Sequence, residues 1–201
     1  MLTIKNLNDN INQEIINNFN YNFKKTTTII GKSGCGKSTL LKTIIQNYSD
    51  YHFSYLDQDV LLLNWLNVFD NLNIINQEFN LNIDINYYLN LFDLIHLKNK
   101  HINELSGGEK KRIAILRTFL MPYNFILLDE PLNNLDEINK KAIINFINYF
   151  KKNKTIIVVS HNINDAFLYS DYIISVNKPF HIVNEYNKNN FDFQQILIDI
   201  S

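Results

Sequence analysis

The run Gly31-Lys32-Ser33-Gly34-Cys35-Gly36-Lys37-Ser38-Thr39 has the residue types and spacing to hold a triphosphate. Gly31, Gly34 and Gly36 let the backbone turn so that successive N–H groups, those of Lys32, Ser33 and Cys35 among them, point inward. The helix expected from Lys37 adds its positive end to the same anion site. Lys37 carries a charge to the β- and γ-phosphates, Ser38 offers its hydroxyl to Mg²⁺, and Thr39 reaches the α-phosphate. Much later, the apolar residues Phe125 to Leu128 run straight into Asp129 and Glu130. A buried strand ending in two carboxylates places charge where a core opens. Asp129 is then suited to hold Mg²⁺ through its water shell, and Glu130 to take a proton from an attacking water. A third segment, Leu105-Ser106-Gly107-Gly108-Glu109, opens a helix with bare backbone N–H groups, a second anion-binding end. Ser106 with Glu109 three residues on is also a capping box, and both readings hold at once.

Positioning these groups requires strands that deliver loops to one edge. Leu2 to Asn6 and Ile15 to Phe23 read as strands, and Thr26 to Ile30 is a β-branched run entering the glycine loop. A helix follows over Lys37 to Asn47, then a short strand over His52 to Leu56. The stretch from about Asn67 to Met121 is mostly helical by spacing. Phe125 to Leu128, Thr155 to Ser160 and Tyr172 to Val176 read as strands. Glu137 to Lys152, Asn164 to Ser170 and Phe191 to Ile200 read as helices. Such βα alternation predicts an α/β fold, a largely parallel sheet interrupted by a helical insert.

The combination of glycine loop, LSGGE, FILLDEP and a late histidine, His161, resembles the nucleotide-binding subunit of ABC transporters over nearly the whole chain. That resemblance implies a P-loop NTPase fold with a RecA-like parallel-sheet core, an N-terminal antiparallel β part and an inserted α-helical subdomain at about 66–118. The whole of 1–201 would then be a single ATPase domain. By the same resemblance, the Ser106, Gly107 and Gly108 end faces the γ-phosphate held by another subunit. Gln58 touches Mg²⁺ and water in a loop that meets the membrane subunit, and Leu135 and Asp136 pass across the dimer interface. His161 contacts the γ-phosphate and orders the catalytic water. ATP and Mg²⁺ are the implied ligands. The implied partners are a second ATPase subunit, identical or similar, integral membrane permease subunits and a solute-binding protein, with the chain peripheral on the cytoplasmic face of the membrane. LLLNWLNVFDNL after Gln58 is similar to a pattern of importers for nitrate, sulfonates, taurine and thiamine-type precursors; Leu62 and Trp65 there read either as a groove for a membrane subunit or as core. The chain departs from the pattern where an adenine-stacking aromatic is usual: Asn8 to Asn12 offers only Ile11. No C-terminal regulatory domain is expected.

Bulk properties fit this reading and exclude others. A net charge of -1 leaves no electrostatic case for nucleic acid, which needs a basic face. The single cysteine lies inside the glycine loop, so no disulfide framework is expected and a reducing compartment fits. No signal peptide is read in the first residues, and no apolar run approaches a membrane span. Asparagine makes up about one residue in six. It is scattered through apolar periodic segments rather than clustered, so it reads as compositional bias and not as a disordered tract. Two other classes stay open: a soluble ABC ATPase without a transporter, and a module that binds ATP without hydrolysing it.

Overall fold

The computed structural model describes residues 1–9, 16–59, 61–178 and 180–200. Two strands, β1 (Leu2–Leu7) and β2 (Phe19–Phe23), pair antiparallel as a separate small sheet. The main sheet has six strands. They are β3 (Thr26–Ile30), β4 (Phe53–Leu56), β5 (Phe125–Asp129), β6 (Thr155–Ser160), β7 (Tyr172–Asn177) and β8 (His181–Asn187), in the order β4-β5-β6-β3-β7-β8. The first five are mutually parallel, and β8 closes one edge antiparallel to β7.

Burial on both faces explains the central strands. In β5, Ile126 and Leu128 face a core shared with the helices, while Leu127 faces a second core under β1, β2 and the first helix. Strands of this kind read as continuous apolar runs rather than alternations, which is why TTTII, FILL and TIIVV carry the signal. The helices are α1 (Lys37–Asn47), α2 (Val68–Phe79), α3 (Ile85–Leu91), α4 (Gly107–Leu120), α5 (Glu137–Phe150), α6 (Ile163–Phe167) and α7 (Phe193–Asp199). Their starts are chemically marked: Asn67, Asp84, Ser106, Asp136, Asn162 and Asp192 each accept a backbone N–H at an N-cap. Asparagine, abundant here, thus serves as a cap at two helices. At the end of α2, Asn80 takes a left-handed conformation that stops the helix, so the long helical stretch between Asn67 and Met121 divides into α2, α3, two short 3₁₀ turns and α4.

Strand β2 begins at Phe19, four residues after the start expected at Ile15, which lies outside the described residues. Ile16 instead bridges to Phe180, and Asn18 has positive φ, which breaks the extended run. Strand β8 has no counterpart in the sequence expectations. Only Tyr186 of its residues is buried, so it lacks the alternation that would mark it.

The C-terminal helix is latched by one carboxylate. Asp199 accepts hydrogen bonds from Ser175 Oγ (2.7 Å), Tyr186 Oη (2.5 Å), Asn184 Nδ2 (2.9 Å) and Gln195 Nε2 (3.1 Å), tying α7 to β7 and β8. Burial alone would raise this carboxyl, but the four donors outweigh it and hold it below its ordinary value. Tyr186, desolvated and facing that carboxylate, is pushed up to about 12. Replacing Asp199 by Asn removes charge-assisted bonds and is expected to cost about 2 kcal/mol, or about 6 °C in Tm, by calorimetry. Because the folded-state pKa is depressed, the latch contributes fully above the ordinary carboxylate value and fades as pH falls through the folded value. The Tm gap between wild type and variant should therefore close only in strong acid.

Candidate nucleotide site

Strand β3 ends between β6 and β7, and the chain leaves it as the loop Gly31 to Gly36 before α1. Gly36 caps α1 at φ 105 and Gly34 has φ 77, conformations that side-chain-bearing residues rarely adopt. No side chain caps α1, so its first N–H groups stay directed at the loop. Lys37 is buried, and its ammonium donates to the carbonyls of Gly31 (2.8 Å) and Lys32 (3.0 Å), which fixes the charge over the loop. Lys32, Ser33 and Gly34 are exposed, Cys35 is buried, and Ser38 and Thr39 are half-buried in the first turn of α1.

Across β6, the end of β5 reaches the same place. Ser38 Oγ donates to Asp129 Oδ1 at 3.0 Å. Burial raises the Asp129 carboxyl; the Ser38 bond opposes the rise, Glu130 and Asp57 add to it, and Lys42 lowers it. Tyr55, in β4 beside β5, approaches Asp129 Oδ2 at 3.4 Å, and its phenol is pushed far up by desolvation and by that carboxylate. Glu130 follows at φ 46, buried, its N–H bonded to Val159 O (3.0 Å). Such left-handed geometry in a bulky residue is strained and is retained where surrounding contacts enforce it. His161 leaves β6 and its Nδ1 donates to Glu130 Oε1 at 3.0 Å; the imidazole itself is exposed.

The remaining residues stand further out. Gln58 lies just beyond the end of β4, exposed, with its backbone N–H held by Asp57 Oδ1. Among the described residues no hydrogen bond joins its side chain to Asp129 or Ser38. Ser106 caps α4 by accepting from Glu109 N (3.3 Å), while Glu109 accepts from Ser106 N (2.7 Å). Ser106 and Gly107 are exposed, and a Cβ on Gly107 would meet nothing within 4 Å. Asp136 is exposed and caps α5. Among the described residues, no hydrogen bond or ion pair connects the Ser106 to Gly108 end with the loop at 31–39.

Two neighbours of the carboxylates escaped sequence reasoning. Tyr55 follows from register alone, since Tyr55 pairs with Leu127 two residues before Asp129. Lys111 is buried in α4, its ammonium pKa lowered by desolvation although Asp129, Glu130, Asp57 and Asp59 all pull it upward. In sequence it reads as one more charge in EKKR.

Cavity size does not mark the chemistry. A cavity of about 640 Å³ lies at the opposite, N-terminal ends of the central strands among Lys24, Lys25, Lys151, Lys152 and Lys154. Its ammonium groups are partly engaged: Lys154 on the carbonyls of Met121 and Tyr123, Lys151 on Asp171, and Lys24 over the Tyr172 ring. The glycine loop borders a smaller cavity of about 330 Å³ with Val176, Asn177 and Ile200. The sequence region at Asn8 to Asn12 falls mostly outside the described residues, Ile11 included.

A glycine-rich strand-to-helix loop, a buried lysine folded over it, and a serine and carboxylate joined across a parallel sheet define a phosphate-loop nucleoside triphosphatase. The family description "ABC transporter" matches residues 16–133, more than half of the chain. The chain belongs to the ABC transporter family, as its ATP-binding, ATP-hydrolysing component. It is 31% identical over 76% of its length to the formylaminopyrimidine import ATP-binding protein of Halalkalibacterium halodurans, spanning 69% of that protein. It is 32% identical to the aliphatic sulfonates import ATP-binding protein of Bacillus subtilis, covering 84% of this chain and 78% of that one. Among solved structures, an ATP-binding subunit of an ABC transporter superposes with TM-score 0.81 at 18% identity, covering 98% of both chains. A dimeric ATP-binding cassette in a post-hydrolysis state with ADP and Pi matches with TM-score 0.77 at 23% identity, over 95% of this chain and 100% of that one.

Proposed function

We propose that this chain powers import of a small solute by hydrolysing ATP between two protomers, each loop at Gly31 to Thr39 facing the Ser106 end of its mate. The observation that carries the reading is the presence of two pairs at the C-terminal ends of the central strands, Ser38 with Asp129 and Glu130 with His161. In this reading Lys37 and the loop hold the triphosphate, Glu130 receives the proton of the attacking water, and His161 orients Glu130. The bare, unobstructed Gly107 supports a composite site: nothing in its own protomer requires a glycine there. Mg²⁺ fits the donors present, a hydroxyl and a carboxylate, and this hard cation is commonly held by few protein ligands plus phosphate oxygens. When bound it would neutralise phosphate charge; Ser38 and Asp129 would hold it, with Gln58 beyond them. We assign 66–118 as the inserted helical part of one ATPase domain.

Among the described residues no helix is long and apolar enough to cross a membrane, so coupling to a permease requires a docking face. A groove between the end of β4 and α4 is lined by Asp57, Asp59, Leu61, Arg117 and Thr118, and Arg117 donates to Leu61 O. Next to it Leu61 and Trp65 are 75% and 74% exposed, whereas Leu62 packs on the core, so the two residues of the expected pair part company. Relatives named for import support a membrane subunit as the occupant. Trp65→Ala is expected to reduce solute uptake in vesicles bearing the permease at least about tenfold, as loss of an aromatic anchor does. ATP affinity of the isolated chain should stay unchanged; uptake equal to wild type would remove Trp65 from the docking face.

A further inference from the structure

We infer that Asn139 is a positioning residue which locks the glycine end of α4 to the start of α5, so that Ser106 and Asp136 are presented to a partner protomer as one rigid unit. Asn139 lies in the first turn of α5. Its backbone N–H donates to Asp136 Oδ1 and its Nδ2 to Asp136 Oδ2, each at 2.8 Å. The same carboxamide lies against Gly108: a Cβ there would stand 2.3 Å from Asn139 Nδ2 and 2.7 Å from its Cγ. An ordinary side-chain end could swing away from such a collision. This one cannot do so without giving up its Asp136 bond, which aligns the carboxylate.

The two glycines of the motif thus have different physical reasons. Gly107 leaves an outward face bare, whereas Gly108 is a socket for a side chain of the next helix. Asp136 is held as an anion by these amide donors, its carboxyl pKa lowered chiefly by the Asn139 backbone bond. The residue after Asn139 extends the link. Lys140 pairs with Asp165 (3.6 Å) in α6, whose cap, Asn162, directly follows His161. One turn of α5 therefore braces the Ser106 end on one side and the His161 segment on the other, and packed neighbours of this kind couple energetically.

This inference rests on the proposed two-protomer ATPase for its readout. With the purified full chain and Mg-ATP, Asn139→Ala is expected to raise the ATP concentration for half-maximal turnover about fivefold, with kcat within about twofold of wild type. ATP binding to the dilute single protomer should not change, since the loop at 31–39 is untouched. Asn139→Asp keeps the volume against Gly108 but sets a second carboxylate against Asp136, and should do at least as much harm. The decisive cycle uses Gly108→Ala: alone it should slow turnover, and adding Asn139→Ala should restore at least about threefold of the loss by removing the collision. Wild-type half-saturation in both Asn139 variants, no restoration in the double variant, or parallel losses in KM, kcat and Tm that mark a folding role alone would each overturn the inference. Wild-type protein without ATP turnover would instead sink the function itself.

Discussion

Glu130→Gln is expected to lower ATP turnover about 10³-fold while leaving ATP binding within about twofold of wild type. The amide has the carboxylate's shape and fills the same buried position, so the strained turn at φ 46 and its bond to Val159 need not change. What disappears is proton affinity: an amide oxygen cannot take a proton from water at neutral pH. His161 Nδ1 can still donate to the amide oxygen, so the imidazole keeps its place. Single-turnover phosphate release separates the two effects, and ATP should accumulate uncleaved on the variant. Turnover within about tenfold of wild type would move the base elsewhere, because general-base contributions are seldom that small.

The second large effect is on binding. Lys37→Ala should weaken ATP binding by about 3 kcal/mol, roughly 10²-fold in Kd, the scale of truncating one member of a buried charged contact. Structure allows that number to be separated from unfolding. Lys37 also bonds the Gly31 and Lys32 carbonyls, and those acceptors lose their donor in the variant, at a cost of about 1–2 kcal/mol to stability. Tm should therefore fall by a few degrees only, by about 2–4 °C per kcal/mol, while nucleotide protection against thermal unfolding vanishes. ADP and ATP titrations followed by calorimetry read the affinity directly. Unchanged ATP affinity would mean that the ammonium serves the loop's shape alone.

Legibility in the sequence followed the physics of burial. β3, α1 and β6 fall where the sequence expectations set them because each combines an unbroken β-branched or amphipathic run with a sharp glycine or serine boundary. The Ser38–Asp129 pair was also foreseeable, since a loop after one parallel strand and a carboxylate at the end of another must converge on the same edge. β8 was illegible because an edge strand with one buried side chain carries no period. Contacts set by how one helix packs on another, or by a strand the pattern does not mark, were equally hidden. The Asn139–Gly108 contact needs the packing of α4 on α5, and Lys111 takes its meaning only from carboxylates arriving on β5 and after β4. The Asp199 latch depends on β8, so missing the strand meant missing the latch. Gln58 marks the opposite case: the resemblance assigns it a ligand role, while the geometry leaves it exposed past β4, without a side-chain bond to the Ser38–Asp129 pair among the described residues.

In the proposed two-protomer cycle neither protomer owns a complete site. Mixing two inactive variants tests it: one carrying Lys37→Ala, with a crippled loop, the other Ser106→Arg, whose bulky cation blocks the outward end of α4. In the mixed dimer one site combines the intact loop of the second variant with the intact Ser106 end of the first. ATP turnover of the mixture is predicted to rise well above the sum of the separate proteins and to depend on protomer concentration. Turnover equal to that sum at every mixing ratio would contradict the two-protomer site.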